Sequence, residues 1–125
     1  MKRIIKTDKA PKAIAAYNQA VEVNGFLFIS GQVPIDPATG QFVPGEIKEQ
    51  TEQVLRNIGA ILEAAGYEFK DVVKTTCLLT DMANYPGMNE VYGTFFTEDA
   101  PARAAYATNG LPLKALIEIE AVASK

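Results

Sequence analysis

The chain contains no histidine at all, one cysteine, and no apolar run that approaches the length of a membrane span. Each absence excludes something. Without histidine there is no Cys/His or Ser/His/Asp catalysis, no usual zinc site and no imidazole proton shuttle. Any chemistry must use carboxylates, hydroxyls, backbone groups, Lys, Arg or water. A single cysteine, Cys77, cannot form an internal disulfide, and it sits inside the apolar run "VVKTTCLLT". A reactive thiol needs an accessible, electropositive setting, so Cys77 reads as a small buried hydrophobe.

Positive charge is also scarce. Twelve Lys+Arg against fifteen Asp+Glu leave a net charge of -3, which supplies no broad basic surface and disfavours nucleic acid as a partner. The N-terminal "MKRIIKTDKAPK" is basic but precedes no apolar core of signal-peptide length, so the expectation is a cytoplasmic protein with no membrane partner. What is present is ordinary globular material: 125 residues, 48% hydrophobic and 22% charged, with no low-complexity tract. Residues 1–125 are expected to form a single domain.

The clearest local signal is "NQAVEVNGFLFIS", where Asn24-Gly25 between two β-rich runs suits a two-residue type I′ turn. The register then sets Val23 against Phe26, Val21 against Phe28 and Gln19 against Ser30. Period-two alternation gathers Tyr17, Gln19 and Ser30 at the open end of this hairpin. The following "GQVPIDPATGQFVPG" reads as a loop with turns at Asp36-Pro37 and Thr39-Gly40. From Glu46 to Ala65, apolar residues recur at helical spacing, with acidic residues in the first turn and Gly66 as the stop. Val72 to Thr80 reads as a strand covered on both faces. A second helix is expected from about Asn84 to Phe96, capped by Asn84, with Pro86 in its first turn. Its Tyr85, Met88, Val91, Tyr92 and Phe95 share a face that reads as core. Arg103–Thr108 and Leu116–Ala123 read as two closing strands joined by the "NGLPLKA" turn. The expected class is α+β, with two helices packed on one face of a mixed sheet.

Few residues in this pattern can carry chemistry. Glu118 and Glu120 fall on one face of the last strand, and Arg103, beginning the strand before, is a natural bidentate partner for a carboxylate. By pattern alone Arg103 is either a structural ion-pair partner of one of these glutamates or of a surface acid, or an anchor waiting for a ligand carboxylate. The two glutamates project in parallel, roughly 7 Å apart, so they do not make a glycosidase pair that flanks a bond. No phosphate-cradling glycine motif is present. Ser30-Gly31, at a strand exit, offers a hydroxyl and an approachable backbone N–H, or simply a turn.

Several segments, in order along nearly the whole chain, carry a resemblance: "APKAIAAYNQAV", "FISGQVPIDPATG", "EQTEQVLRNIGAILEAAG", "DVVKTTCLLTDM", "NEVYGTFF", "PARAAY" and "LPLKALIEIEAVA". Together they resemble the RidA subfamily of the Rid (YjgF) family of enamine/imine deaminases. The resemblance implies a chorismate-mutase-like fold and a homotrimer whose sheets form a central barrel, with ligand clefts between subunits. It implies hydrolysis of 2-aminoacrylate and related 2-imino acids, such as 2-iminopropanoate and 2-iminobutanoate, to 2-keto acids and ammonia, with neither metal nor cofactor.

Carried over by position, the family's carboxylate anchor falls on Arg103 and its acidic residue near the attacking water on Glu118. The other substrate-binding positions fall on Tyr17, Ser30, Gly31, Asn89 and the backbone of Ala105. Two departures stand out. Ala105 replaces a frequent cysteine, which points to water rather than sulfur as the attacking group, and Ala15-Ala16 replaces a Gly-Pro turn ahead of Tyr17. Two other readings remain at this stage: a binding or regulatory module for keto acids in the same cleft, and an RNA-directed activity that the charge balance disfavours.

Overall fold

The structure is a computed structural model that describes residues 1–125. An edge strand β1 (Arg3–Ile5) leads into the hairpin β2 (Ala20–Val23) and β3 (Phe26–Gln32). Asn24 and Gly25 both take left-handed φ, 50° and 78°, as a type I′ turn requires. Val23 pairs with Phe26 and Val21 with Phe28, in the register the turn dictates. The next loop folds into a two-stranded hairpin, β4 (Ile35–Asp36) and β5 (Gln41–Phe42), closed by a turn in which Gly40 N–H donates to Asp36 O at 2.8 Å. This hairpin and β1 are elements that the sequence pattern did not announce.

Helix α1 (Ile47–Ala65) starts at a Glu46/Glu49 capping box and ends at Gly66, whose φ of 86° an L side chain would resist. Its apolar stripe, including Val54, Leu55, Ile58, Ile61 and Leu62, is buried against Leu27, Ile29, Ile117, Ile119 and Ala121 of the sheet. Strand β6 (Val72–Leu79) is followed by α2 (Tyr85–Phe95), β7 (Ala102–Ala107) and β8 (Ile117–Ser124). Asn84 does not cap α2 with its side chain. A 3-10 turn over Met82–Asn84 runs into the helix instead, and the capping oxygen is that of Asp81, which accepts from Ala83 N–H at 2.9 Å.

The six-stranded sheet runs β1-β2-β3-β8-β6-β7. Every neighbouring pair is antiparallel except β6 and β7, which are parallel and joined by the α2 crossover. The last two strands are therefore not neighbours. Strand β8 inserts between β3 and β6, and β6 separates it from β7. The expected hairpin across "NGLPLKA" is replaced by a long return containing a 3-10 turn at Pro112–Lys114, which carries the chain past β6.

Both helices pack on one face of the sheet. The opposite face presents Ile4, Phe26, Phe28 and Tyr106, each at least 39% exposed, beside Glu118 and Glu120. Phe26 and Phe28 lie together on β3, while Tyr106, on β7, is separated from them by β8 and β6.

Candidate active site

Strand β3 pairs Ile29 with Ala121 but Gln32 with Ile119, so three steps on β3 match two on β8. The extra residue makes a bulge at Ser30-Gly31, and bulges re-aim side chains beside functional sites. Here the bulge brings the Gly31 backbone against the Glu118 side chain, so closely that a Cβ at Gly31 would collide with Glu118 Oε2. Only glycine leaves the Glu118 carboxyl where it stands. The Ser30 hydroxyl donates to Asn18 O at 2.6 Å, which ties the bulge to the loop that carries Tyr17.

These residues line one pocket of about 580 Å³, of a size usual for small-molecule sites. Tyr17, Ser30, Gly31 and Glu118 supply its polar part, while Ile14, Ile35 and Leu113 contribute apolar wall. Lys12 is the only cation among the lining residues. Neither Lys12 nor Leu113 stood out in the sequence, because each reaches the pocket through a loop whose path no local period encodes. Tyr17 is exposed, on a tight turn in which its N–H donates to Ala15 O at 2.8 Å. Gln19 lines the pocket too, but its buried side-chain amide is occupied. It donates to Thr7 O, Ala10 O and Pro11 O and accepts from Thr7 N–H, which pins the N-terminal loop in place.

Helix α1 steadies the pocket from below. Its buried Gln50 accepts from Leu116 N–H at 2.9 Å, at the entry to β8, while Asn57 donates to Val33 O and Ile35 O at 3.2 and 3.0 Å. The loops before Glu118 and after Gly31 are thus both fixed to one rigid element. Leu113 and Lys114 hold left-handed φ of 56° and 62°. Two adjacent non-glycine residues in that region carry strain of order 1–3 kcal/mol each.

Glu118 is half-buried and joins no ion pair. Burial, and then the charge of Glu120, raise its pKa above the ordinary carboxylate value. Cys77 is fully buried, and desolvation pushes its thiol up to about 11, as its apolar surroundings imply. No group of three or more His, Cys, Asp or Glu side chains is arranged to hold a metal ion.

Arg103 lies elsewhere. It pairs with Thr75 in the β6/β7 ladder and faces the helices. Its Nη1 donates to Asn89 Oδ1 at 2.9 Å and its Nη2 to Tyr85 Oη at 2.5 Å, and its guanidinium carbon sits 4.7 Å from the Tyr92 ring centroid. Ala105, half-buried, follows two residues later on the same strand face. Glu118, by contrast, pairs with Leu78 and projects from the opposite face.

This corrects the ion-pair expectation: Arg103 bonds to neither Glu118 nor Glu120, because β6 intervenes and the two groups leave the sheet on opposite sides. Within one chain the candidate residues fall into two separate groups on opposite faces of the sheet. Tyr17, Ser30, Gly31 and Glu118 make one; Arg103, Asn89 and Ala105 make the other. Asn89 contacts Arg103 rather than the Glu118 pocket. The partners Tyr85 and Tyr92 escaped the sequence reading because a stripe of aromatics on a helix reads as core, which Tyr92 in part is.

The chain is similar over nearly its whole length to proteins already known. A protein of Mus musculus named 2-iminobutanoate/2-iminopropanoate deaminase is 50% identical over 98% of the chain and 91% of its own length. A crystal structure from Thermotoga maritima superposes with a TM-score of 0.98 at 54% identity, covering 100% of this chain and 98% of that one. Escherichia coli TdcF, solved with bound serine, superposes with a TM-score of 0.93 at 39% identity over 98% of each chain. The family profile described as Endoribonuclease L-PSP matches residues 7–125, and with these relatives the chain belongs to the Rid (YjgF) family.

Proposed function

We propose that the protein is an imine deaminase that hydrolyses 2-iminobutanoate, 2-iminopropanoate and its enamine form 2-aminoacrylate to 2-keto acids and ammonia. The observation that carries this reading is the division of the site: an unpaired guanidinium on one sheet face and an unpaired carboxyl on the other. A second copy of the chain supplies the missing half. A homotrimer, with bare sheet faces turned inward as a barrel, covers Phe26 and Phe28 and sets Arg103 of one subunit across a cleft from Glu118 of the next. The names of the mammalian relatives and the serine held by TdcF support a small carboxylate as ligand.

In this cleft Arg103 anchors the substrate carboxylate, and Glu118 accepts a proton from water as its oxygen adds to the imine carbon. Glu118 returns that proton to the imine nitrogen to give a neutral carbinolamine, then carries the new hydroxyl's proton to the amine nitrogen, so that the C=O bond forms as the C–N bond breaks and ammonia leaves. Tyr17, Ser30 and Gly31 orient the substrate. The imine is intrinsically reactive, so positioning and proton transfer suffice. Burial raises the pKa of Glu118 above the ordinary carboxylate value, which makes its carboxylate a stronger base than a solvated one.

The test generates the imino acid in situ with a threonine dehydratase and follows keto-acid release with the protein, with Arg103→Ala, and without protein. Equal rates in all three end the enzymatic claim, and saturable keto-acid binding without rate enhancement selects a binding module instead. Mixing inactive Arg103→Ala and Glu118→Gln chains tests the shared cleft. Random assembly of a symmetric trimer restores about one quarter of the native sites, whereas a site contained within one chain restores none.

A further inference from the structure

An arginine that binds a ligand carboxylate faces two costs: ordering a long side chain, and losing any acidic partner it already holds. Arg103 has met both in an unusual way. Each of its hydrogen-bond acceptors, Asn89 Oδ1 and Tyr85 Oη, is neutral. Its flat face lies over two tyrosine rings, at 4.7 Å from the Tyr92 centroid and 5.4 Å from that of Tyr85. Tyr92 is itself immobilised, by a 2.6 Å hydrogen bond between its hydroxyl and Thr75 Oγ1 and by the Phe96 ring 4.5 Å away. Thr75 is the ladder partner of Arg103, so the chain of contacts closes on itself through β6, α2 and β7.

We propose that Tyr85 and Tyr92 are positioning residues, which hold the Arg103 guanidinium ordered yet uncompensated in charge so that it meets an incoming carboxylate with its remaining N–H donors. The proposal rests on the reading of Arg103 as a ligand anchor. A carboxylate in place of the Tyr85 hydroxyl would order the arginine equally well, but it would compete with the ligand for the same fork. The aromatic faces add attraction for the cation without occupying any donor. In chemical terms the pair prepares an arginine for an anion, and neither tyrosine need touch the substrate.

Two measurements test this, one of which needs no ligand. In the Nε–H region of a nitrogen-proton NMR spectrum, the Arg103 signal, assigned by its loss in Arg103→Lys, is ordered, slow to exchange and shifted by the tyrosine rings. In Tyr92→Leu it collapses toward the position of a mobile arginine. Calorimetry with 2-ketobutyrate then shows affinity falling roughly tenfold in Tyr92→Leu and roughly fivefold in Tyr85→Phe. KM for the in situ imine rises by similar factors, while kcat changes less than twofold.

In the Arg103→Lys background the same substitutions change affinity less than twofold, whereas damage to the fold in general would act in both backgrounds. Tyr85→Phe and Thr75→Val preserve shape and provide the test if Tyr92→Leu does not fold. An Arg103 signal that is mobile in the native protein, or affinity and KM unchanged in folded variants, overturns the proposal. An ordered Arg103 signal that collapses in the variants, in a protein that neither binds 2-ketobutyrate nor turns over the imine, upholds the positioning role and removes the deaminase reading.

Discussion

The two halves of the proposed site are built differently. Arg103 stands on a strand, and its partners Tyr85, Asn89, Tyr92 and Thr75 stand on a helix and the adjoining strand, so regular backbone fixes each contact. Glu118 also begins on a strand, but what surrounds it is a bulge, a turn at Tyr17 and a return loop with two left-handed residues. Rigid elements suit a group that must hold still and bind. Loops set against a rigid helix suit a group whose surroundings must shape a reaction and admit water.

The largest expected effect breaks the reactive half while sparing the binding half. Glu118→Gln is expected to lower kcat about a hundredfold or more, with the affinity for 2-ketobutyrate little changed. Its effect on stability has the opposite sign. A carboxyl whose pKa is raised on folding holds its proton more tightly in the native state, so its contribution to stability falls as pH rises from the unfolded pKa through the folded one. Glu118→Gln therefore melts at the native temperature or above it at neutral pH. A clear drop in melting temperature there would refute the burial argument.

Gly31→Ala comes next. The added Cβ forces the Glu118 carboxyl aside, so kcat is expected to fall roughly tenfold while the Arg103 half keeps its order, as steady-state kinetics beside arginine NMR would show. A smaller effect sharpens the contrast through pH. The rate should decline on the acid side with its inflection above the ordinary carboxylate range, and Glu120→Gln should move that inflection downward, because Glu120 is the second cause of the raised value. A pH–rate profile of kcat/KM measures both. The smallest effect belongs to Cys77→Ala, a buried change beside Ala105 in the β6/β7 ladder that leaves the backbone pairing intact: activity should stay within about twofold, with a stability loss of about 1 kcal/mol from the lost packing.

Much of this was legible in the chain. Asn24-Gly25 fixed the β2/β3 register because a two-residue turn leaves only one way to pair the strands, and the stripe from Val54 to Leu62 identified both α1 and its buried face. Seven matching segments pointed to the family and its α+β fold, and the resemblance named the candidates Tyr17, Ser30, Gly31, Asn89, Arg103, Ala105 and Glu118. What escaped was non-local. That β8 lies between β3 and β6 follows from no period in "LIEIEAVA", and without it Arg103 and Glu118 look like neighbours on a hairpin. The bulge at Ser30-Gly31 was similarly hidden, since Ser-Gly serves a turn equally well. Tyr85 and Tyr92 were visible as residues but not as supports, because a ring that packs in a core and a ring that carries a cation have the same helical spacing.

Leu113 and Lys114 give the molecule an unclaimed margin of stability. Asparagine at position 114 would sit more comfortably at a φ of 62° and recover on the order of 1 kcal/mol. Relaxing that backbone would also loosen the wall from which Leu113 lines the pocket. A thermostabilised variant made at this point would test how much of the protein's selectivity depends on keeping one loop slightly uncomfortable.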